Sequence, residues 1–157
     1  LFNELDDRLI KAINEVGFIN PTEVQVDTFE PALEGKDLFV SAETGSGKTC
    51  AYLLPVFEHL LESNCQGVRA LVLVPTRELA QQVLRQAKLF GRFTPLKLGH
   101  IGGGTDIKKQ NDLIRHPADF LVATPGRLSE LLSRNLVDLD SVDILILDEA
   151  DRLLDMG

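Results

Sequence analysis

The run Ala42-Glu43-Thr44-Gly45-Ser46-Gly47-Lys48-Thr49 has the order of residues that wraps a polyphosphate. It follows Asp37-Leu38-Phe39-Val40-Ser41, which reads as a buried strand, and precedes Thr49-Cys50-Ala51-Tyr52-Leu53-Leu54, which reads as a helix start. Backbone amides at a glycine-rich turn entering a helix lack intrahelical partners, and the helix dipole adds positive potential, so the turn forms an anion nest. Gly45 and Gly47 tolerate positive φ and let the backbone approach phosphate oxygens, with Thr44 and Ser46 completing the loop. Lys48 supplies a point charge for the β- and γ-phosphates, and the Thr49 hydroxyl is placed to ligate Mg²⁺. Ala42 stands where the strict pattern has glycine, a small departure at the loop's entry. The segment predicts a nucleoside triphosphate site.

A second acidic site is expected after Ser141-Val-Asp-Ile-Leu-Ile-Leu147, a β-branched and leucine-rich run suited to a strand buried on both faces. Asp148 falls at its carboxyl end, where ligands bind in parallel α/β sheets. There Asp148 would hold Mg²⁺ opposite Thr49, and Glu149 would orient or deprotonate the attacking water. On this reading Lys48 and Asp148 meet across neighbouring strand ends to hold Mg·ATP. The plainer reading makes Asp148 and Glu149 helix-start residues favoured by the dipole over Ala150-Asp151-Arg152-Leu153-Leu154.

The elements that must position these groups alternate along the chain. Asp6 to Val16 is amphipathic, with Leu9, Ile10 and Ile13 on one side and Gly17 as its stop, and a second helix begins near Pro21-Thr22. Strands are expected at Leu38 to Ser41, Ala70 to Val74, Leu96 to Ile101, Phe120 to Ala123 and Val142 to Leu147, with helical patterns between them. That alternation implies an α/β fold with a mostly parallel sheet and helices on both faces. Arg77 to Phe90 reads as a helix whose Leu79, Val83, Leu84, Ala87 and Phe90 pack into the core.

At 157 residues the chain amounts to a single domain, and no run approaches the roughly 18 apolar residues of a membrane span. Cys50 and Cys65 lack metal or redox spacing and no signal segment opens the chain, so a cytoplasmic location is expected. A formal net charge of −8 argues against coating nucleic acid by bulk electrostatics and confines any such site to a local patch. The start at Leu1 and the end at Asp155-Met156-Gly157, just after the acidic motif, suggest that more chain follows. His59, His100 and His116 show no ligand spacing and read as surface or satisfied histidines.

Around the nucleotide motifs lie Gly17-Phe18-Ile19-Asn20-Pro21-Thr22-Glu23-Val24-Gln25, Pro75-Thr76-Arg77-Glu78-Leu79-Ala80, Gly102-Gly103 and Thr124-Pro125-Gly126-Arg127. Together, in this order, they resemble the DEAD-box RNA helicases over essentially the whole chain, and specifically the N-terminal RecA-like, phosphate-loop domain of that family. The resemblance implies ATP as the nucleotide, Mg²⁺, ATP hydrolysis coupled to local RNA unwinding, and a second RecA-like domain carrying the arginine finger and half the RNA site. It implies that Gln25 reads the adenine edge, since an amide offers one donor and one acceptor. Thr22 and Gln25 equally form a capping box. Phe2 lies near, but out of register with, the aromatic that packs on adenine in that family.

Pro75, Thr76, Arg77, Gly102, Gly103, Thr124, Pro125, Gly126 and Arg127 match the family's RNA-binding positions. Their chemistry suits phosphate and 2′-hydroxyl contact without base reading. Singly, each has a structural alternative: Thr76 and Thr124 as helix caps, Pro125 as a first-turn residue, and Gly102 to Gly104 as an ordinary turn. Two rival functions share the nucleotide site: a motor that tracks DNA, and a non-catalytic RNA-binding module that uses nucleotide as a clamp.

Overall fold

The computed structural model describes residues 1–17, 20–103 and 106–155. Of the motif positions read above, Phe18, Ile19 and Gly104, with the terminal Met156-Gly157, lie outside the described residues. The chain gathers into two units, Leu1–Asn64 with Gln86–Pro95, and Cys65–Arg85 with Leu96–Gly157.

In the first unit, the Asp6 carboxylate accepts the Arg8 amide at 2.9 Å and so starts α1 (Asp7–Val16). Leu9, Ala12 and Ile13 form its buried face, and Gly17, at φ 79°, ends it in the left-handed conformation that favours glycine. α2 (Glu23–Leu33) and α3 (Lys48–Leu61) pack on one another. α3 buries Leu53, Leu54, Phe57 and Leu60 almost completely, and truncating Phe57 should cost about 3–5 kcal/mol. The Asp6 amide donates to the Glu58 carboxylate of α3 at 2.8 Å, which ties the start of α1 to that core.

Residues Leu38 to Ser41 depart from expectation, because they form no strand. A strand exists only when its amides and carbonyls have a neighbour to pair with, and none pairs here among the described residues. Phe39 is 96% exposed, and Leu38 and Val40 are also exposed.

The second unit is built on β1 (Ala70–Leu73), β2 (Leu98–Ile101), β3 (Phe120–Ala123) and β4 (Ile144–Leu147). These run in the order β2-β3-β1-β4, every pairing parallel, with Leu73 level with Ala123 and Leu147, and Ile101 level with Ala123. The expected sheet is therefore present with four strands rather than five among the described residues. The connecting helices are α4 (Arg77–Gly91), of which residues 77–85 belong to this unit, α5 (Ile107–Arg115) and α6 (Pro125–Ser133), and the short α7 (Ala150–Asp155) follows β4. On one face Leu71, Leu121 and Ala123 pack with Ile101, Leu128 and Leu131, and Leu113 of α5 lies against them. The alternate residues Ala70, Val72, Phe120 and Val122 are fully buried as well, so β1 and β3 are covered on both sides. β4 is the exception: it forms one edge of the sheet, and Leu145 and Leu147 are 58% and 53% exposed. Among the described residues no helix is long and apolar enough to cross a membrane.

Candidate functional site

In the first unit the phosphate-loop motif turns through residues 44–47 and delivers Lys48 and Thr49 to the first turn of α3. Gly45 and Gly47 hold φ of 83° and 88°, the conformations expected of them. The Ser46 amide donates to the Glu43 carbonyl at 3.1 Å, which closes the turn. Thr44 and Gly45 are exposed, while Ser46, Gly47, Lys48 and Thr49 are partly covered. Cys50, next in sequence, is buried, and burial pushes its thiol up to about 12.

Gln25 braces this loop. It is 2% exposed, its Oε1 accepts the Thr22 amide at 3.0 Å, and its Nε2 donates to the Gly47 carbonyl at 3.2 Å. The first bond is the reciprocal half of the capping box foreseen from Thr22 and Gln25; the second joins residues too far apart in sequence for spacing to reveal. A Cβ on Gly47 would stand 2.5 Å from Gln25 Nε2 and 2.9 Å from Thr22 Oγ1, so glycine is required there on contact grounds as well as for φ. The amide retains one N–H and one lone pair for another partner.

The Ser46 hydroxyl is buried without a hydrogen-bond partner among the described residues, while the Thr22 hydroxyl faces the Gln25 amide across the capping box. An orphaned hydroxyl within a glycine turn that opens to solvent at Thr44 and Gly45 suits an anionic ligand with several acceptor oxygens, and the residues present therefore fit a polyphosphate. Phe2, by contrast, sets its ring edge-on to Phe29 at 5.6 Å between centroids, a packing role.

In the second unit the remaining candidates collect at one edge of one sheet. β1 leads into Pro75, Thr76 and Arg77; β2 into Gly102 and Gly103; β3 into Thr124, Pro125, Gly126 and Arg127; and β4 into Asp148 and Glu149. Because every strand is parallel, all four segments leave at the carboxyl end, the ligand-binding edge of such sheets. The Asp148 amide donates to the Leu73 carbonyl at 3.0 Å, so the acidic motif is anchored to β1. The Glu149 amide donates to Asp148 Oδ1 at 3.0 Å, and Glu149 sits at φ 56°, left-handed backbone that costs a side-chain-bearing residue about 1–2 kcal/mol. Among the described residues no group of three or more His, Cys, Asp or Glu could hold a metal ion.

The structural alternatives are realised to different degrees. Thr76 Oγ1 accepts the Leu79 amide at 3.2 Å and so caps α4. Thr124 occupies the cap position of α6 without using its side chain, and Pro125 follows in the first turn. Arg77, Gly103 and Gly126 are exposed, and a Cβ on Gly103 or Gly126 would meet nothing within 4 Å. Gly102 is buried instead, against the ring of His100.

Arg127 is the most committed of the set. Its Nε and Nη2 donate to Gln110 Oε1 at 3.0 and 2.7 Å, and its Nη1 donates to Glu130 Oε2 at 2.7 Å. Gln110 is 7% exposed, so a buried amide on α5 fixes the guanidinium plane and leaves two of its N–H groups for another acceptor. Neither Gln110 nor Glu130 was foreseen. Glu130 lies at helical i+3 spacing and could have been; nothing in the sequence links Gln110 to Arg127. His100 also differs from the reading of a surface or satisfied histidine: it is half-buried, its Nε2 is enclosed without a partner among the described residues, and burial, then the Arg77 charge, hold it below the ordinary imidazole range.

A phosphate-loop turn entering a helix, and a parallel sheet with an acidic pair at its carboxyl edge, define a phosphate-loop nucleotide-binding class of α/β protein. The family model described as DEAD/DEAH box helicase matches residues 22–157, and the chain belongs to that family. It is 43% identical over 157 residues to "ATP-dependent RNA helicase SrmB" of Escherichia coli (strain K12), covering 98% of this chain and 35% of that protein. Among solved structures it is similar to a hypothetical ATP-dependent RNA helicase from Sulfolobus tokodaii, with TM-score 0.88 and 42% identity over 98% of this chain and 44% of that one. The RNA-helicase Prp28 from Chaetomium thermophilum bound to ADP superposes with TM-score 0.90 and 39% identity, over 98% of this chain and 38% of that one. The chain thus spans less than half the length of each of these relatives.

Proposed function

We propose that this chain is the N-terminal RecA-like, ATP-binding part of an ATP-dependent RNA helicase. The observation that carries the reading is the glycine turn braced by buried Gln25, with the orphaned Ser46 hydroxyl inside it. SrmB is named as an ATP-dependent RNA helicase, and Prp28 was solved with ADP, which supports ATP as the nucleotide. Loop amides and Lys48 would bind the phosphates, Thr49 and Asp148 would hold Mg²⁺, and Gln25 would turn its spare donor and acceptor to adenine. Bound Mg²⁺ would neutralise phosphate charge. Glu149 would orient and deprotonate the attacking water.

Pro75, Thr76, Arg77, Gly102, Gly103, Thr124, Pro125, Gly126 and Arg127 would grip an RNA backbone independently of sequence. The protein would bend one RNA strand between this domain and a second RecA-like domain, displacing the partner strand locally. An arginine finger from that second domain is worth about 10³ to 10⁵ in rate, so the isolated chain should bind ATP and hydrolyse it slowly.

Lys48→Ala and Glu149→Gln test this in a protein containing both domains. Lys48→Ala should weaken ATP binding, whereas Glu149→Gln should keep binding and lower RNA-stimulated ATPase by about 10² to 10⁴. Full turnover in Glu149→Gln would defeat the catalytic reading and favour a nucleotide-gated clamp.

A further inference from the structure

α5 begins at Asp106, whose carboxylate accepts the Lys108 amide at 2.9 Å. Gln110 lies in its first turn, three residues ahead of Leu113, which packs against Gly99 and the core of the sheet. Positions three apart share a helix face, so the face that Leu113 presses inward carries Gln110 in with it, to 7% exposure. A buried amide is unfavourable unless its polar atoms are met. Here Oε1 is met twice by one guanidinium, from Arg127 Nε at 3.0 Å and from Nη2 at 2.7 Å.

The third bond of Arg127 is of a different kind. Glu130 stands one turn further along α6 with half of its side chain exposed, and such solvent-facing pairs hold a side chain weakly. Gln110 comes from another helix, is buried, and is neutral, so it fixes the guanidinium plane without cancelling its charge. One N–H on each terminal nitrogen is left over. The Arg127 side chain keeps 27% of its surface and follows the exposed Gly126, so these groups are within reach of a ligand.

We propose that Gln110 is a positioning residue for RNA: its buried carbonyl holds the Arg127 guanidinium in the orientation in which the two remaining N–H groups meet a backbone phosphate. The proposal rests on the RNA-binding reading of Arg127 and adds to it a residue that touches no RNA. An arginine free to rotate must be ordered when the phosphate arrives, and one already held by Gln110 avoids most of that cost. The same clasp ties the first turn of α5 to the first turn of α6, the helices that follow Gly102-Gly103 and Thr124.

The test uses the full-length protein and a fluorescein-labelled oligouridylate, followed by anisotropy at several KCl concentrations. Gln110→Met, similar in volume but without an acceptor, should raise Kd about tenfold and flatten its salt dependence by up to about 0.7 in log–log slope. The RNA concentration that half-stimulates ATPase should rise by more than kcat falls. In an Arg127→Ala background the same substitution should change Kd by less than about twofold, because the two side chains act as one unit. Gln110→Leu serves as a second variant, with urea curves to confirm folding. In wild type the Arg127 Nε–H resonance, assigned by its loss in Arg127→Lys, should resist solvent exchange both without RNA and with it; if neither variant folds, this signal decides alone. An unchanged Kd in a folded Gln110 variant overturns the proposal, as does a Gln110 effect that persists in full without Arg127, or an Nε–H that exchanges freely. Arg127→Ala with unchanged Kd sinks the RNA-binding role of Arg127 itself, whereas affinity lost there and kept in Gln110→Met sinks only the positioning role.

Discussion

Gln25 spends one end of its amide on the cap of α2 and the other on the carbonyl of Gly47. On the proposed role of Gln25 at adenine, the same amide would join base recognition to the phosphate loop that it braces. Gln25→Ala should remove a buried hydrogen-bonded group, lowering stability by about 1–3 kcal/mol and weakening ATP more than it weakens inorganic triphosphate. Fluorescence titrations with both ligands, beside a urea unfolding curve, check it; equal weakening of both would confine Gln25 to bracing. The left-handed backbone of Gly45 and Gly47 was legible in the sequence because φ preference is local. The Gln110 clasp on Arg127 was not, because it is a tertiary contact between helices with no shared spacing.

At the level of elements, helical periodicity and stop signals read well, since Leu9, Ile13 and Gly17 defined α1, whereas the Ser141 to Leu147 run, expected to be buried on both faces, supplies the edge strand β4 with Leu145 and Leu147 exposed. The Leu38 to Ser41 run failed as a strand for a reason no local pattern contains, since pairing needs a neighbour. β2 shows the same limit, its His100 being enclosed by the turn that follows. Because the folded protein holds His100 below its ordinary value, the unfolded chain binds the proton first. Its effect on stability should therefore be absent above about pH 6.5 and grow as pH falls below that value. Urea midpoints of wild type should fall across that window more than those of His100→Gln; parallel curves would show no titration difference at this site.

Across the whole molecule, a net charge of −8 coexists with exposed apolar positions, Phe39 in the first unit and Leu145 and Leu147 in the second. Edge strands with exposed leucines invite pairing with other chains, and inward or edge charges suppress it. Leu147→Lys should thus reduce self-association of this 157-residue chain, read as a lower apparent mass in light scattering. An unchanged mass would remove β4 as the sticky edge.

Cys50 gives the nucleotide loop a built-in clock. Its sulfur is shielded and kept protonated, whereas Cys65 is exposed, so iodoacetamide should modify Cys65 promptly and reach Cys50 only when the first turn of α3 comes apart. The lag between the two adducts, followed by mass spectrometry, times that opening, and ATP should lengthen it if triphosphate seals the turn.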